Sequence, residues 1–275
     1  MQLERKRDDF ERRGVGVAAV SFDTVDTLRH FAERAGVSFP LLSDPDSEII
    51  RAFGLLNTEV PADHRFYGIP RPGEFWIGPD GVVQATYFEE DYSDRFTAGS
   101  VLVRQLGSDA GAAAAEIETD QLTLRSWASD VIVRGGNRLT LGLDIDLPEK
   151  MHVYAPGVEN YIPISWTIET ASGLTVYEPE YPQPETLHLP AINETAPVYE
   201  GSFRALRDVM VGQPDDVEPL LDEEGFLVIK GSFRYQACDD KVCYLPRTLP
   251  LEWRLEFEAH DRTRGPEELR RPEPR

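Results

Sequence analysis

Cysteine is scarce in this 275-residue sequence, which contains only Cys238 and Cys243. Two cysteines are too few for a disulfide-stapled scaffold and too few for a structural zinc site. Long apolar runs are also absent, because no stretch reaches the roughly 18 residues that a membrane-spanning helix needs. The segment from Met1 to Arg13 is charged and lacks the apolar stretch of a secretory signal. The chemical question is therefore what one local cysteine pair does.

Basic residues are few relative to acidic ones, with 28 Lys and Arg against 49 Asp and Glu and a formal net charge of −21. Nucleic acid and anionic membrane surfaces would repel such a chain. We expect protein or small-molecule partners, with no nucleic acid, no direct membrane insertion and no cofactor; the oligomeric state stays open. No metal site is expected, because none of the histidines is near the cysteine pair in sequence (His30, His64, His152, His188 and His260).

The chain is long enough for two domains, and its pattern changes once. Helix and strand signals alternate over residues 1–106, which predicts an α/β domain. Residues 107–116 contain GSDAGAAAA, lack large apolar side chains, and are interpreted as a linker. Strand after strand follows over residues 117–258, a pattern typical of an antiparallel β-sandwich. Residues 259–275 are rich in Arg, Glu and Pro and are predicted to be disordered.

The α/β part has recognisable helix and strand boundaries. The pattern predicts helices over Leu3–Arg13, from a cap at Asp23 to Gly36, from Pro45 to Gly54, and over about Ser93–Leu106. A buried strand is predicted over Val15–Phe22 and a short strand over Phe39–Leu42, with parallel pairing. Two further strands, Glu74–Gly78 and Val82–Phe88, flank Pro79-Asp80-Gly81 as a hairpin.

The run VAAVSFDTVDTLRHFAERAGVSFPLLSDPDSEIIRAFGLLN, followed by YGIPRPGEFWIGPDGVVQATYF, resembles the peroxiredoxin and redoxin family of thioredoxin-fold proteins. The resemblance implies a thioredoxin-like domain that is incomplete, because the first core strand and the peroxidatic cysteine are missing. Residues 1–106 contain no cysteine, and only a thiolate attacks peroxide, so the sequence as written predicts no peroxidase. Arg71 lies where the family carries an arginine that stabilises the peroxide-binding thiolate. The alternative is that Arg71 is an ordinary surface arginine. We expect either an N-terminal truncation of the gene product or a degenerate domain.

The segment FRYQACDDKVCYLPRTLPLEW places the cysteine pair between two strand patterns. Five extended steps span roughly 17 Å, whereas bridged cysteines need Cα atoms within about 7 Å. If the pair is bonded, Asp239 to Val242 must therefore form a tight turn. Closing so short a loop stabilises a fold by only about 2 kcal/mol on the chain-entropy model. An exchangeable disulfide, a passive hairpin disulfide and two buried thiols all remain open from spacing alone.

Residues 122–257 resemble the N-terminal domain of the thiol:disulfide interchange protein DsbD, through HVYAP, YPQPE, PVYEGSF and YQACDDKVCYLP. The resemblance implies an all-β immunoglobulin-like sandwich that relays electrons between protein thiols, with Cys243 engaging partners and Cys238 resolving. Tyr154 and Tyr235 are candidates to flank the pair, and Glu185–Val198 is a candidate cover. The resemblance also implies thioredoxin-fold or membrane thiol-disulfide partners and a periplasmic or other extracytoplasmic location. A cytoplasmic location is the alternative.

The resulting hypothesis is a thiol-disulfide oxidoreductase in which a redoxin part and a DsbD-like part exchange electrons with each other or with a membrane donor. A non-catalytic sandwich module with a structural disulfide is one alternative. A thiol peroxidase is another, only if a further N-terminal segment supplies the peroxidatic cysteine. These alternatives depend on how the structure surrounds the two sulfur atoms.

Overall fold

The structure, a computed structural model, describes residues 2–64, 66–89, 93–107, 113–189, 194–260 and 266–269. The chain divides into two compact units. One comprises the residues up to 102 together with the chain from 260 onward, and the other comprises residues 103–259. No helix within the described ranges is both long enough and apolar enough to cross a membrane.

The first unit mixes helices with short strands, as predicted for the α/β part. Its elements are, in chain order, α1 (Gln2–Glu11), β1 (Ala19–Ser21), α2 (Val25–Ala35), β2 (Leu41–Ser43), α3 (Glu48–Ala52), β3 (Gly73–Ile77), β4 (Val83–Phe88) and β5 (Arg95–Phe96), and α4 (Ala98–Leu106) spans the division between the units. Strands β1 and β2 pair in parallel, and β3 and β4 pair in antiparallel fashion around the predicted turn. The predicted parallel pair and hairpin are thereby confirmed.

Helix α2 shows how local chemistry sets an element's ends. Its N-cap is Thr24, whose hydroxyl accepts a hydrogen bond from the N–H of Thr27, so the predicted cap at Asp23 is wrong by one residue. At the other end Gly36 takes a left-handed conformation with φ of 66°, and its N–H donates to the carbonyl of Ala32. The predicted stop at Gly36 is confirmed.

Three other predicted boundaries are wrong. Helix α3 begins at Glu48 and not at Pro45, because both carboxylate oxygens of Asp44 accept hydrogen bonds from the first turn, from the N–H groups of Glu48 and Ile50. Helix α4 begins at Ala98, since residues 95–96 form β5. Only residues 19–21 of the predicted strand Val15–Phe22 are in β1.

The second unit consists almost entirely of strands. They are β6 (Ala113–Glu118), β7 (Thr123–Ala128), β8 (Ile132–Val133), β9 (Asn137–Asp146), β10 (His152–Tyr154), β11 (Ser165–Ile168), β12 (Leu174–Val176), β13 (Glu185–Leu189), β14 (Glu194–Glu200), β15 (Ser202–Val211), β16 (Phe226–Tyr235), β17 (Ala237–Cys238) and β18 (Arg247–Phe257), with one short helix, α5 (Pro214–Val217).

These strands form three sheets. One has the order β12-β15-β9-β7-β6, the second β11-β16-β18-β8, and the third β13-β14-β10-β17. Alternate side chains of β9 and β18 enter one main core, which also contains buried residues from the other strands. In that core the indole N–H of Trp253 donates to the carbonyl of Trp127 at 3.0 Å. The predicted immunoglobulin-like β-sandwich is confirmed.

A buried carboxylate links strands β9 and β15 of the first sheet to helix α4. Asp208 on β15 is almost completely buried and accepts hydrogen bonds from Arg138 and Thr140 of β9, at 2.8 Å each. Arg104 of α4 donates to the same carboxylate at 2.7 Å. Two guanidinium groups therefore compensate for one buried negative charge.

The predicted linker and tail differ from the structure where they are described. Residues 113–116 of the predicted linker belong to strand β6, which pairs with β7 and so extends the first sheet. Of the tail predicted as disordered, Glu267–Leu269 form a 3₁₀ turn, and the carbonyl of Leu269 accepts a hydrogen bond from Thr27. Residues 108–112, 261–265 and 270–275 of these two predictions lie outside the described residues.

Candidate functional site

The cysteine pair closes a four-residue turn at the end of β17. Cys238 and Cys243 form a disulfide with Cα atoms 4.0 Å apart, and the two residues also form an antiparallel bridge. The N–H of Asp239 donates to the carbonyl of Val242 at 3.0 Å inside the turn. The tight turn that the sequence predicted for a bonded pair is present.

The side chain of Asp239 holds this turn in place. Its Oδ1 accepts hydrogen bonds from the N–H groups of Lys241 and Val242, both at 2.8 Å, and its Oδ2 accepts one from the hydroxyl of Tyr244 at 2.9 Å. The bonds from Val242 and Lys241, followed by that from Tyr244, hold the pKa of Asp239 below its ordinary value. An ionised Asp239 therefore belongs to the geometry that keeps the sulfur atoms together.

The two cysteines differ sharply in accessibility. Cys238 is 1% exposed, whereas Cys243 is exposed at the surface. Apolar side chains lie on both sides of Cys243 in the chain, with Val242 53% and Leu245 86% exposed. A thiolate that approaches from outside therefore meets Cys243, within an apolar surface segment.

The third sheet has two buried faces, because successive side chains of a strand point to opposite sides. Val153, Tyr199 and Ala237 belong to the main core. On the other face Cys238 packs in a small second cluster with Tyr154, Ala196 and Val198, against which Val158, Tyr161 and Leu187 also pack. We call this second group the outer cluster. It seals the sulfur of Cys238 away from solvent.

Tyr161 contributes directly to that seal. Its ring stacks on the ring of Tyr154 with centroids 4.2 Å apart, and its hydroxyl donates to a carboxylate oxygen of Glu194 at 3.2 Å. The family resemblance made Glu185–Val198 a candidate cover. The described parts of that stretch are strands β13 and β14 of the same sheet, and residues 190–193 lie outside the described residues. Leu187 packs on the outer cluster from β13.

The three supporting residues proposed from sequence lie in different places. Tyr154 packs with Cys238 in the outer cluster. Tyr235 is in the main core, where its hydroxyl lies 3.1 Å from that of Thr119 and 3.3 Å from Oε1 of Gln121. Strand alternation explains the difference, since Tyr235 shares the core-facing parity of Ala237 and not that of Cys238. The structure therefore does not bring Tyr235 to the pair.

Arg71 lies in the first unit, in the loop before β3. Its side chain is half exposed, and its guanidinium forms an ion pair with Glu59 at 3.2 Å. Its backbone N–H donates to the carbonyl of Leu55. The cysteine pair lies in the second unit, so the suggested role of Arg71 towards a thiolate stays a prediction.

Sequence reasoning considered His152 only as a metal ligand and missed its position beside the cysteine pair. His152 lies on β10 directly opposite Cys238 of β17. Burial lowers the pKa of this imidazole, while the charges of Glu200, Asp239 and Asp240 act in the opposite direction. No sequence signal could have found the pair, because the register between strands 86 positions apart is not encoded in local spacing. Among the described residues, no group of three or more His, Cys, Asp or Glu side chains is arranged to hold a metal ion.

The chain combines an α/β unit with a β-sandwich that carries a bonded cysteine pair. Residues 1–86 match the AhpC/TSA family, and residues 120–251 match the family of the N-terminal part of thiol:disulfide interchange protein DsbD. The chain therefore carries an AhpC/TSA domain at its N-terminus and a DsbD N-terminal domain after it. These assignments support a thiol-disulfide redox function.

Peroxiredoxin Bcp from Xanthomonas campestris is 35% identical over 78 residues, which are 28% of this chain and 48% of that protein. Peroxiredoxin Bcp from Escherichia coli is 31% identical over 31% of this chain and 54% of that protein. The chain thus spans about half the length of the curated relatives it matches. The N-terminal periplasmic domain of ScsB from Proteus mirabilis shares 14% identity, with a TM-score of 0.35 over 52% of this chain and 51% of that one.

Proposed function

We propose that this chain performs thiol-disulfide exchange and relays electrons between protein thiols through the Cys238–Cys243 pair. The observation that supports this most directly is the asymmetry of the pair, with Cys243 exposed and Cys238 buried. Exchange requires one sulfur that a partner can reach and a second that stays protected until it resolves the intermediate. Cys243 meets the first requirement, and Cys238 meets the second.

The exchange follows from this division. A partner thiolate attacks Sγ of Cys243, the bond between Cys243 and Cys238 breaks, and Cys238 leaves as a thiolate. A second thiolate of the same partner then attacks the partner sulfur that is bonded to Cys243, and Cys243 is released. The pair is reduced to two thiols, and the partner is oxidised to a disulfide. The reverse sequence passes the electrons on to an oxidised partner.

A structural disulfide is the alternative function for the pair. The loop it closes is short, and the chain-entropy model gives so short a loop only about 2 kcal/mol of stabilisation. That small contribution favours exchange over stapling. The reduction potential separates the two functions, because structural disulfides have potentials below about −300 mV and exchange-competent ones lie nearer the cellular poise.

We propose that the pair exchanges electrons with a membrane donor or another external partner, and that these partners are thioredoxin-fold or membrane thiol-disulfide proteins. Exchange between the two domains of this chain would need a segment that supplies the first domain with a cysteine, because a disulfide or thiol is required on each side. The DsbD-like domain favours a periplasmic or other extracytoplasmic location, where disulfides persist. Residues 1–106 contain no cysteine, so thiol peroxidase activity would need a further segment that supplies one.

A trapping experiment tests the roles of the two sulfur atoms. Each single variant, Cys238→Ser and Cys243→Ser, is incubated with an oxidised thioredoxin-fold protein and analysed on a non-reducing gel. Cys238→Ser should accumulate a mixed disulfide, because the exposed thiol has lost its internal resolver, and Cys243→Ser should not. Trapping by Cys243→Ser alone would reverse the roles. Trapping by neither variant, with a wild-type pair that also resists protein thiols, would make the disulfide structural.

A further inference from the structure

Three side chains of different chemistry lie in one row across the third sheet. His152 on the central strand β10 is directly opposite Cys238 of β17 on one side and Glu200 of β14 on the other. Side chains directly opposite on antiparallel strands share a face, with Cβ atoms about 4.5–5.5 Å apart. The sheet therefore presents a carboxylate, an imidazole and a sulfur side by side on three adjacent strands.

The imidazole in this row has hydrogen-bonding capacity that its surroundings do not use. His152 is 5% exposed, and its Nε2 has no hydrogen-bond partner within the described part of the chain. Buried polar atoms are nearly always paired, so an unpaired one needs an explanation. The ring is held edge-on to Tyr154, with centroids 5.5 Å apart. A fixed imidazole with a vacant nitrogen beside a sulfur has the components of a proton-transfer pair.

We propose that His152 is the base that takes the proton of the Cys238 thiol when Cys238 resolves a mixed disulfide, and that Glu200 stabilises the imidazolium that forms. This inference rests on the proposed thiol-disulfide exchange and assigns the proton in its second step. The same arrangement of base and carboxylate activates thiol nucleophiles in other protein settings.

Proton transfer to His152 comes before the bond between the two cysteines forms. The reduced pair has already attacked a partner protein disulfide through Cys243, so Cys243 is joined to a partner sulfur. The imidazole of His152 accepts the Cys238 proton, and the Cys238 thiolate attacks Sγ of Cys243. The bond between Cys243 and the partner breaks, and the partner sulfur leaves as a thiolate. The pair is oxidised to its disulfide, and the partner disulfide is reduced; in the reverse direction the imidazolium returns the proton to the departing Cys238 thiolate.

The charges around the imidazole suit this role. Burial favours the neutral ring, which is the form that accepts a proton. Glu200 from β14, with Asp239 and Asp240 from the turn after β17, stabilises the ring once it is charged. Tyr154 also lies against the ring, and burial raises its pKa, so it stays neutral. The same acidic residues oppose a free Cys238 thiolate, which makes a neighbouring base necessary.

The test measures, in the full chain, the step in which Cys238 resolves the mixed disulfide at Cys243. The reduced protein is mixed with an aromatic disulfide whose thiolate is coloured when released. Attack by Cys243 releases one coloured thiolate, and resolution by Cys238 releases the second. His152→Gln should slow the second release about 100-fold at neutral pH, the lower range for a positioned base, and leave the first unchanged. His188→Gln is the matched control, because His188 is an exposed histidine on β13 of the same sheet.

The pH profile of the second release gives a readout that a merely structural role would not move. Glu200→Gln should shift the acid limb of that profile to lower pH, because the loss of this charge lowers the basicity of the imidazole. Glu200 is exposed, so this variant remains informative even if His152→Gln fails to fold. A second release in His152→Gln with the rate and profile of wild type would overturn the proposal. So would an unshifted profile in a folded Glu200→Gln protein.

Failure of this inference and failure of the proposed function are distinguishable. If the wild-type protein never gives a second release, the pair does not exchange and the proposed function fails. The proton coupling is then measured in Cys243→Ser by ultraviolet titration of the Cys238 thiolate. Adding His152→Gln to that variant should raise the thiol pKa, and an unchanged pKa would overturn the role of His152.

Discussion

Replacing Leu245 by serine should weaken exchange with protein partners and leave exchange with small thiols unchanged. Leu245 is 86% exposed and lies two residues after the accessible Cys243, so a partner that reaches the sulfur covers this side chain. Fully burying a leucine contributes about 1.5–3 kcal/mol, and almost all of that remains to be gained on docking. Each 1.4 kcal/mol or so is a factor of about ten in affinity. The KM for a protein substrate should therefore rise about tenfold to a hundredfold.

The assay compares two reductants on the same variant. Rates are measured with a reduced thioredoxin-fold protein and with dithiothreitol, which is too small to bury Leu245. Val131→Ser is the matched control, because Val131 is also an exposed apolar residue of the second unit, 48% exposed. An equal loss with both reductants would show that the substitution disturbs the turn and not the docking. An unchanged KM for the protein would remove Leu245 from the docking surface.

Four further outcomes are expected. Asp208→Ala should lower the free energy of unfolding by about 3–5 kcal/mol in urea, because it removes the buried carboxylate that pairs with the partly buried Arg104 and Arg138; a loss under about 1 kcal/mol would contradict this. Because the pKa of Asp239 is lowered, its carboxylate stabilises the turn fully above the ordinary aspartate pKa, and this stabilisation is lost as pH falls through the lowered value. NMR titration of the turn amides should show this transition, and Asp239→Asn should abolish the transition. The chain should show no thiol-dependent peroxidase activity, and turnover that survived combined replacement of Cys238 and Cys243 by serine would refute this. Residues 1–106, separated from the sandwich, should melt at the lower temperature in calorimetry, and a cooperative transition above that of the sandwich would count against it.

The sequence predicts well those features that depend on neighbouring residues. The turn between the cysteines was predictable because a disulfide limits the separation of the two Cα atoms, which four intervening residues can satisfy only by turning. The long strands β9 and β18 were predictable because their apolar residues alternate. The hairpin was predictable because Pro79-Asp80-Gly81 is a turn sequence, and Gly81 takes the positive φ of 79° that glycine permits.

One local boundary was missed: helix α3 starts late because Asp44 accepts hydrogen bonds from the N–H groups of Glu48 and Ile50, which competes with an earlier start at Pro45. Features that depend on how strands are placed were not predictable. Tyr235 was expected near the cysteines because it is close in sequence, but strand parity directs it into the main core. The row of Glu200, His152 and Cys238 depends on the register of three strands, which only the folded sheet reveals.

Access and proton transfer are separate requirements, and the pair divides them between its two sulfur atoms. An exposed Cys243 permits attack, but it does not help a buried Cys238 lose or regain a proton among carboxylates. Leu245→Ser should therefore change the KM for a protein partner without moving the pH profile, and His152→Gln should move the profile without changing that KM. In the double variant the two losses should multiply, because each variant affects a different step. A double variant no worse than either single one would show that docking and proton transfer are one coupled event.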